Sequence, residues 1–167
     1  MIQNIFDPTF YGASKYFGER LVREYSEKIP VLILRLPGIV GPNMPHGRPW
    51  VKTIIEKMLV DEPVEYYNGT AVFNNICDMK TITRFIETII TIAKIKKFDD
   101  VNLAATDPMR MSDVMSLIKN NLNSRSVIKE KKSDKISFSI DVERVIKNYK
   151  FRPDTTINML TRLVDQC

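Results

Sequence analysis

Apolar positions near the start of the chain recur first at helical spacing and then as an unbroken run. From about Phe10 to Lys28 the positions Tyr11, Ala13, Phe17, Leu21, Val22 and Tyr25 follow the helical period, with Pro8 before the pattern and Pro30 ending it. Val31 to Leu36, VLILRL, is short, β-rich and nearly all apolar, which predicts a strand buried on both faces, as in a parallel sheet. The following PGIVGPNMPHGRP is punctuated by Pro and Gly and reads as a long loop.

Further along, the spacing predicts a helix from about Pro49 to Val60 and a short strand from Val64 to Tyr67. An Asn68-Gly69 turn and a second strand from Ala71 to Cys77 come next. A longer helix is predicted from Thr81 to Lys96, with Ile82, Phe85, Ile86, Ile89 and Ile90 on one face and Asp78 or Thr81 as its cap. Asp100 to Ala104 reads as a strand, and Ser112 as the N-cap of a helix over DVMSLIKNNL. SRSVIKEKK reads as an edge strand, because alternating lysines discourage further pairing. Two helices, near Val142 to Asn148 and Thr156 to Val164, close the pattern, and no internal repeat or low-complexity tract interrupts it.

Composition narrows the class. At 167 residues, 44 % of them hydrophobic and 27 % charged, the chain suits one globular domain over residues 1–167. The net charge of +5 is concentrated in Lys94, Lys96 and Lys97 and in Lys129, Lys131 and Lys132. Such clusters read as solvated surface. No zinc-finger or RNA-binding signature accompanies them and no aromatics interleave them, so no nucleic-acid partner is expected. Cys77 and Cys167 form no disulfide framework and suit a reducing compartment. No apolar run reaches the roughly 18 residues of a membrane span, and MIQNIFDPTF lacks the basic and apolar regions of a signal peptide. The expected location is therefore the cytoplasm, with no membrane partner.

Tyr11 and Lys15 stand four apart on the first predicted helix and so share a face. A lysine ammonium beside a phenol favours the phenolate in general. Shifting a tyrosine from its ordinary pKa near ~10 to neutral pH takes about 4 kcal/mol of differential stabilisation. A tyrosine so activated can remove a proton from an alcohol while a hydride departs. Spacing alone also fits a surface tyrosine packed on a lysine stem.

The wider context is more specific. YGASK on a helix, then LILRLPGIVGP, resembles the extended short-chain dehydrogenase/reductase superfamily, and within it the NAD-dependent epimerase/dehydratase family. FNNICDMKTITRFI is similar to the family's strand-to-helix junction in the substrate region, and YKFRPDTTINMLTRLV to its C-terminal end. The resemblance implies an α/β fold: the C-terminal part of a Rossmann-type parallel sheet plus a small α/β substrate-binding lobe. It implies Tyr11 as general acid/base, and Lys15 as the holder of the nicotinamide ribose. The backbone of Pro37, Gly38 and Ile39 would line the cofactor, and Asn43, Arg48 and Asn75 would be substrate-pocket candidates. The cofactor of the complete fold would be NAD or NADP, and the substrate a sugar or nucleotide sugar. His46, the only histidine, reads as exposed loop, and no metal site is expected; Trp50 reads as packing the second helix.

Two places depart from the family's pattern. An asparagine often follows the arginine strand, where this chain has Gly38, and an aspartate usually opens the helix after FNN, where alignment through RFI puts Thr81. Neither G-x-G-x-x-G nor G-x-x-G-x-x-G occurs, so the phosphate-binding turn of the nucleotide-binding half is not in this sequence. The expectation is a C-terminal portion that is inactive alone and pairs with the missing half or with a second copy. The rival expectation is a non-catalytic remnant or interaction module of the same fold.

Overall fold

The computed structural model describes residues 9–41, 50–91, 97–134 and 137–167. Among them lie helices α1 (Phe10–Tyr25), α2 (Trp50–Leu59), α3 (Met79–Thr91), α4 (Met111–Asn121), α5 (Glu143–Tyr149) and α6 (Thr156–Val164). The strands are β1 (Val31–Arg35), β2 (Gly38–Val40), β3 (Val64–Tyr67), β4 (Val72–Phe73), β5 (Ile76–Asp78), β6 (Phe98–Asn102), β7 (Met109–Arg110) and β8 (Ile128–Lys131). β1 pairs with β6, β2 with β5 and β3 with β8, all parallel, while β4 and β7 are antiparallel. The fold is the expected α/β class.

β1, expected as a parallel-sheet strand, runs parallel to β6, with Val31 opposite Phe98 and Arg35 opposite Asn102. β1 is less covered than its composition suggests. Val31 is buried, Leu32 to Leu34 are half-buried and Arg35 is exposed. The reason is α1, which buries none of its sixteen residues.

Elsewhere non-local pairing overrode local pattern. Gly38–Val40, expected as loop, is a strand because β5 offers it a parallel partner. The 71–77 stretch is not one strand. Asn74 donates from Nδ2 to the Ala105 and Ile140 carbonyls and accepts from the Ile140 amide at 2.8 Å, so the chain bends there and β4 and β5 find separate partners. Of the turn pair only Asn68 has positive φ (51°), so β3 is not folded back on β4 as a tight hairpin. Instead β3 pairs with β8, whose lysines stay solvated and, at Lys131, reach Glu65.

Helix ends follow the same logic. The carboxylate of Asp78 accepts from the Thr81 amide at 2.9 Å. The aspartate that opens α3 is thus Asp78, with Thr81 inside the first turn. Ser112 is not a cap either. α4 starts at Met111, and the amides of Met111 and Ser112 donate to the carbonyls of Ala71 and Gly69, so the preceding turn caps it.

The core is one cluster centred on α3, α4 and α6. Phe85 is fully buried and meets Tyr149 and Phe151 at centroid distances of 5.7 and 5.1 Å. Phe85→Ala should cost about 3–5 kcal/mol, read from the denaturant midpoint at unchanged slope.

A buried carboxylate, Asp99, ties α5 to β6. It accepts from the Tyr149 hydroxyl at 3.0 Å and from Asn148 at 2.9 Å, and pairs with Arg144 at 2.7 Å. Burial works to raise its pKa. The hydrogen bonds from Asn148, Tyr149 and the Asp100 amide, with the Arg144 charge, outweigh it and hold the carboxyl below its ordinary value of 3.8. A depressed folded-state pKa stabilises the fold above the unfolded value and loses that contribution as pH falls through the folded one. Stability should therefore drop on acidification below the ordinary carboxylate range, and Asp99→Asn should flatten that part of the curve in pH-dependent denaturation. An unflattened curve would assign the acid loss elsewhere.

Candidate functional site

Three contacts fix the direction of α1. Glu27 pairs with Lys97, just before β6; Arg23 lies over the Phe98 ring at 4.8 Å, at the start of β6; and Glu19 meets Arg35, at the end of β1. α1 therefore runs antiparallel to β1 and β6, and its N-terminal turns, with Tyr11 and Lys15, extend toward the strands' carboxyl ends. In open α/β sheets ligands bind at that end. Thr9 starts the helix there, its hydroxyl oxygen accepting from the Gly12 amide at 3.2 Å.

Tyr11 and Lys15 are neighbours, as their spacing predicts. The Lys15 ammonium lies over the Tyr11 ring, 5.2 Å from its centre. Tyr11 is 70 % exposed. Among the described residues Lys15 forms no ion pair, so its charge is available to a ligand.

Pro37, Gly38 and Ile39 leave the carboxyl end of β1. Gly38 and Ile39 are exposed, and the half-buried Pro37 lines a cleft of about 330 Å³. Arg35 and Leu36 flank it on one side, and Asn102, Phe138 and Asp141 on the other. Tyr11 and Lys15 are not in its lining. Asn75 sits between β4 and β5, half-buried, and its buried Oδ1 has no hydrogen-bond partner among the described residues. Asn43, Arg48 and His46 lie outside the described residues. Cys77 is buried, and that burial, reinforced by the charge of Asp78, pushes its thiol up to about 12.

The structure gives two residues that the sequence reading named a role it did not assign. Trp50 packs edge-on against Phe73 at 5.2 Å, yet it stays 40 % exposed. With Tyr67 and Lys57 it borders a second groove of about 480 Å³, between α2 and β3. Arg35 is the other: its Nε and Nη2 donate to Glu19 at 2.9 and 2.7 Å, and its Nη1 pairs with Asp100 at 2.7 Å. These carboxylates draw its already high pKa higher still, the hydrogen bond from Arg35 to Glu19 being the largest cause.

Residues 6–104 match the model of the NAD dependent epimerase/dehydratase family. The chain belongs to this family. The fold agrees with solved structures of similar proteins. UDP-glucose 4-epimerase of Thermotoga maritima, solved with UDP-glucose, matches at TM-score 0.74 and 19 % identity over 93 % of this chain and 52 % of that one. UDP-glucuronic acid 4-epimerase of Bacillus cereus, solved with UDP-glucuronic acid and NAD, matches at 0.75 and 19 % over 99 % and 55 %. An epimerase of Methanothermobacter thermautotrophicus matches at 0.80 and 13 % over 98 % and 51 %. The family member described here thus spans about half the length of these structures. No curated protein sequence matches it significantly. Among the described residues, no helix is long and apolar enough to cross a membrane.

Because both side chains lie at the surface, Tyr11→Phe and Lys15→Met should each change folding stability by no more than about 0.5 kcal/mol. A larger loss in thermal or denaturant melts would make the pair structural.

Proposed function

We propose that this chain is the substrate-binding, Tyr/Lys-bearing C-terminal part of an NAD(P)-dependent epimerase, dehydratase or reductase acting on a sugar or nucleotide sugar. Its 167 residues form one domain that works only with a nucleotide-binding half. The observation that carries the reading is the Tyr11–Lys15 pair, exposed and, among the described residues, without a carboxylate partner, on a helix that points it past the carboxyl end of β1.

The residues present suit one end of a dinucleotide. An exposed ammonium beside a phenol, followed across β1 by the exposed Gly38 and Ile39, fits a nicotinamide ribose. Nothing in the sequence fits the pyrophosphate, for want of the Gly-rich turn. When bound, the dinucleotide supplies a hydride acceptor.

In this reading Tyr11 takes the proton of a substrate hydroxyl as general base and returns it as general acid. Lys15 donates hydrogen bonds to ribose hydroxyls and brings one positive charge to the phenol. Pro37, Gly38 and Ile39 present backbone to the ring. Asn75, with a buried oxygen lacking a partner, and Asn43 and Arg48 contact the substrate. The nucleotide-binding half docks on the open edge of β1 and on the uncovered apolar residues of α1, Phe17, Leu21 and Val22 among them. A second copy on the same face is the other occupant to be tested. The site is cytoplasmic in this account.

Titrating NAD into the chain alone should give no tight binding. In a chimaera where a family nucleotide-binding half precedes Met1, NAD should bind and Tyr11→Phe should lower turnover of a UDP-sugar by about 10²–10⁴-fold with NAD affinity kept. Turnover unaffected by Tyr11→Phe removes that residue from its role. A chimaera that binds NAD and UDP-sugars yet turns nothing over favours the non-catalytic interaction module.

A further inference from the structure

α1 carries the working pair but contributes no residue to the core, so something other than apolar burial must set where it lies. The structure supplies a chain of alternating charges from α1 across β1 and β6 to α5. Glu19 of α1 holds Arg35 through both carboxylate oxygens, at 2.9 and 2.7 Å. Arg35 reaches Asp100 of β6 at 2.7 Å; Asp100 holds Arg144 of α5 at 2.7 Å; and Arg144 ends on the buried Asp99, also at 2.7 Å. The far end of this chain is anchored in the core, because Asp99 is 1 % exposed at its side chain and bonded to Tyr149. The near end lies two helical turns from Tyr11 and one from Lys15.

We propose that Arg35 is the positioning residue of this site: its planar fork, closed on Glu19 on one side and Asp100 on the other, sets the place of the Tyr11–Lys15 helix at the carboxyl end of β1. Geometry favours arginine here. A guanidinium can satisfy two carboxylates in fixed directions at once, whereas a lysine ammonium is a point charge on a flexible stem. The other contacts to β6 among the described residues, Arg23 over Phe98 and the Glu27–Lys97 pair just beyond the helix end, lie further from its N-terminal turns. Side chains of Arg35 and Glu19 are 48 % and 26 % exposed, so the tether is partly screened and its strength depends on salt.

The inference rests on Tyr11 and Lys15 being the working pair, but its test reads helix position and no chemistry, so failure of either is separately visible. Amide exchange and residual dipolar couplings are measured on the full chain at low ionic strength for wild type, Glu19→Gln, Arg35→Met and Arg35→Lys. Glu19→Gln and Arg35→Met should speed exchange in α1 about tenfold and change its orientation relative to β6, with α4 and α6 unaffected. Arg35→Lys, which keeps the charge but not the fork, should restore only part of the orientation, and 1 M salt should remove that partial rescue. Glu19→Gln touches only the α1 end and decides the matter should Arg35→Met not fold. Exchange in α1 within twofold of wild type, an equal acceleration throughout the chain, or Arg35→Lys no better than Arg35→Met would each overturn the proposal.

Discussion

The fork of Arg35 between Glu19 and Asp100 is the contact on which the geometry of this site depends. It joins a helix with no fully buried residue to a strand pair whose β6 member reaches into the core. Most helices in globular proteins are positioned by an apolar face sunk into a neighbour. α1 has apolar residues enough, but Phe10, Phe17, Leu21 and Tyr25 are all more than half exposed. What remains to place it is a set of directional polar contacts, each modest at a partly wet surface.

The rest of the fold is organised on the opposite principle. α2, α3, α4 and α6 close one continuous core over β2, β5 and β6, and two polar networks lock its periphery. One is the Asp99 cluster on α5. In the other, Arg162 of α6 bridges Asp78 and Asp154 at 2.6 Å each, and Asp154 also holds Arg84 of α3 at 2.6 Å. The packed region therefore draws none of its core residues from α1, while the strand and helix that carry the candidate chemistry sit at its border. This division explains how a chain spanning about half the length of its structural relatives keeps their fold over nearly all of its own length.

Local signals in the sequence carry much of this. VLILRL announced a parallel-sheet strand because such strands are apolar throughout, and Tyr11 and Lys15 meet because four residues make about one helical turn. β2 was hidden because Gly38-Ile39-Val40 stands between Pro37 and Gly41 with no pattern of its own; its partner, Cys77 and its neighbours, comes far later in the chain. The division of 71–77 was hidden because it turns on Asn74 meeting residues 105 and 140. Arg35 was legible as the end of a strand but not as a hub, since Glu19, Asp100 and Arg144 come together only in the folded chain. Asn75 was picked out on family pattern, and its unpartnered buried oxygen is a property no sequence displays.

Charge, not burial, is what holds α1 in place, and a distance measurement tests this directly. Spin labels at Ala13 of α1 and Ser116 of α4, both exposed, in a Cys167→Ser background would report the distance between the helix and the core by electron–electron resonance. A narrow distance distribution at low ionic strength that broadens in 1 M salt, while the α4–α6 core keeps its circular dichroism, is the predicted result. A distribution equally narrow at both salt concentrations would mean that packing fixes α1, and would contradict the central claim.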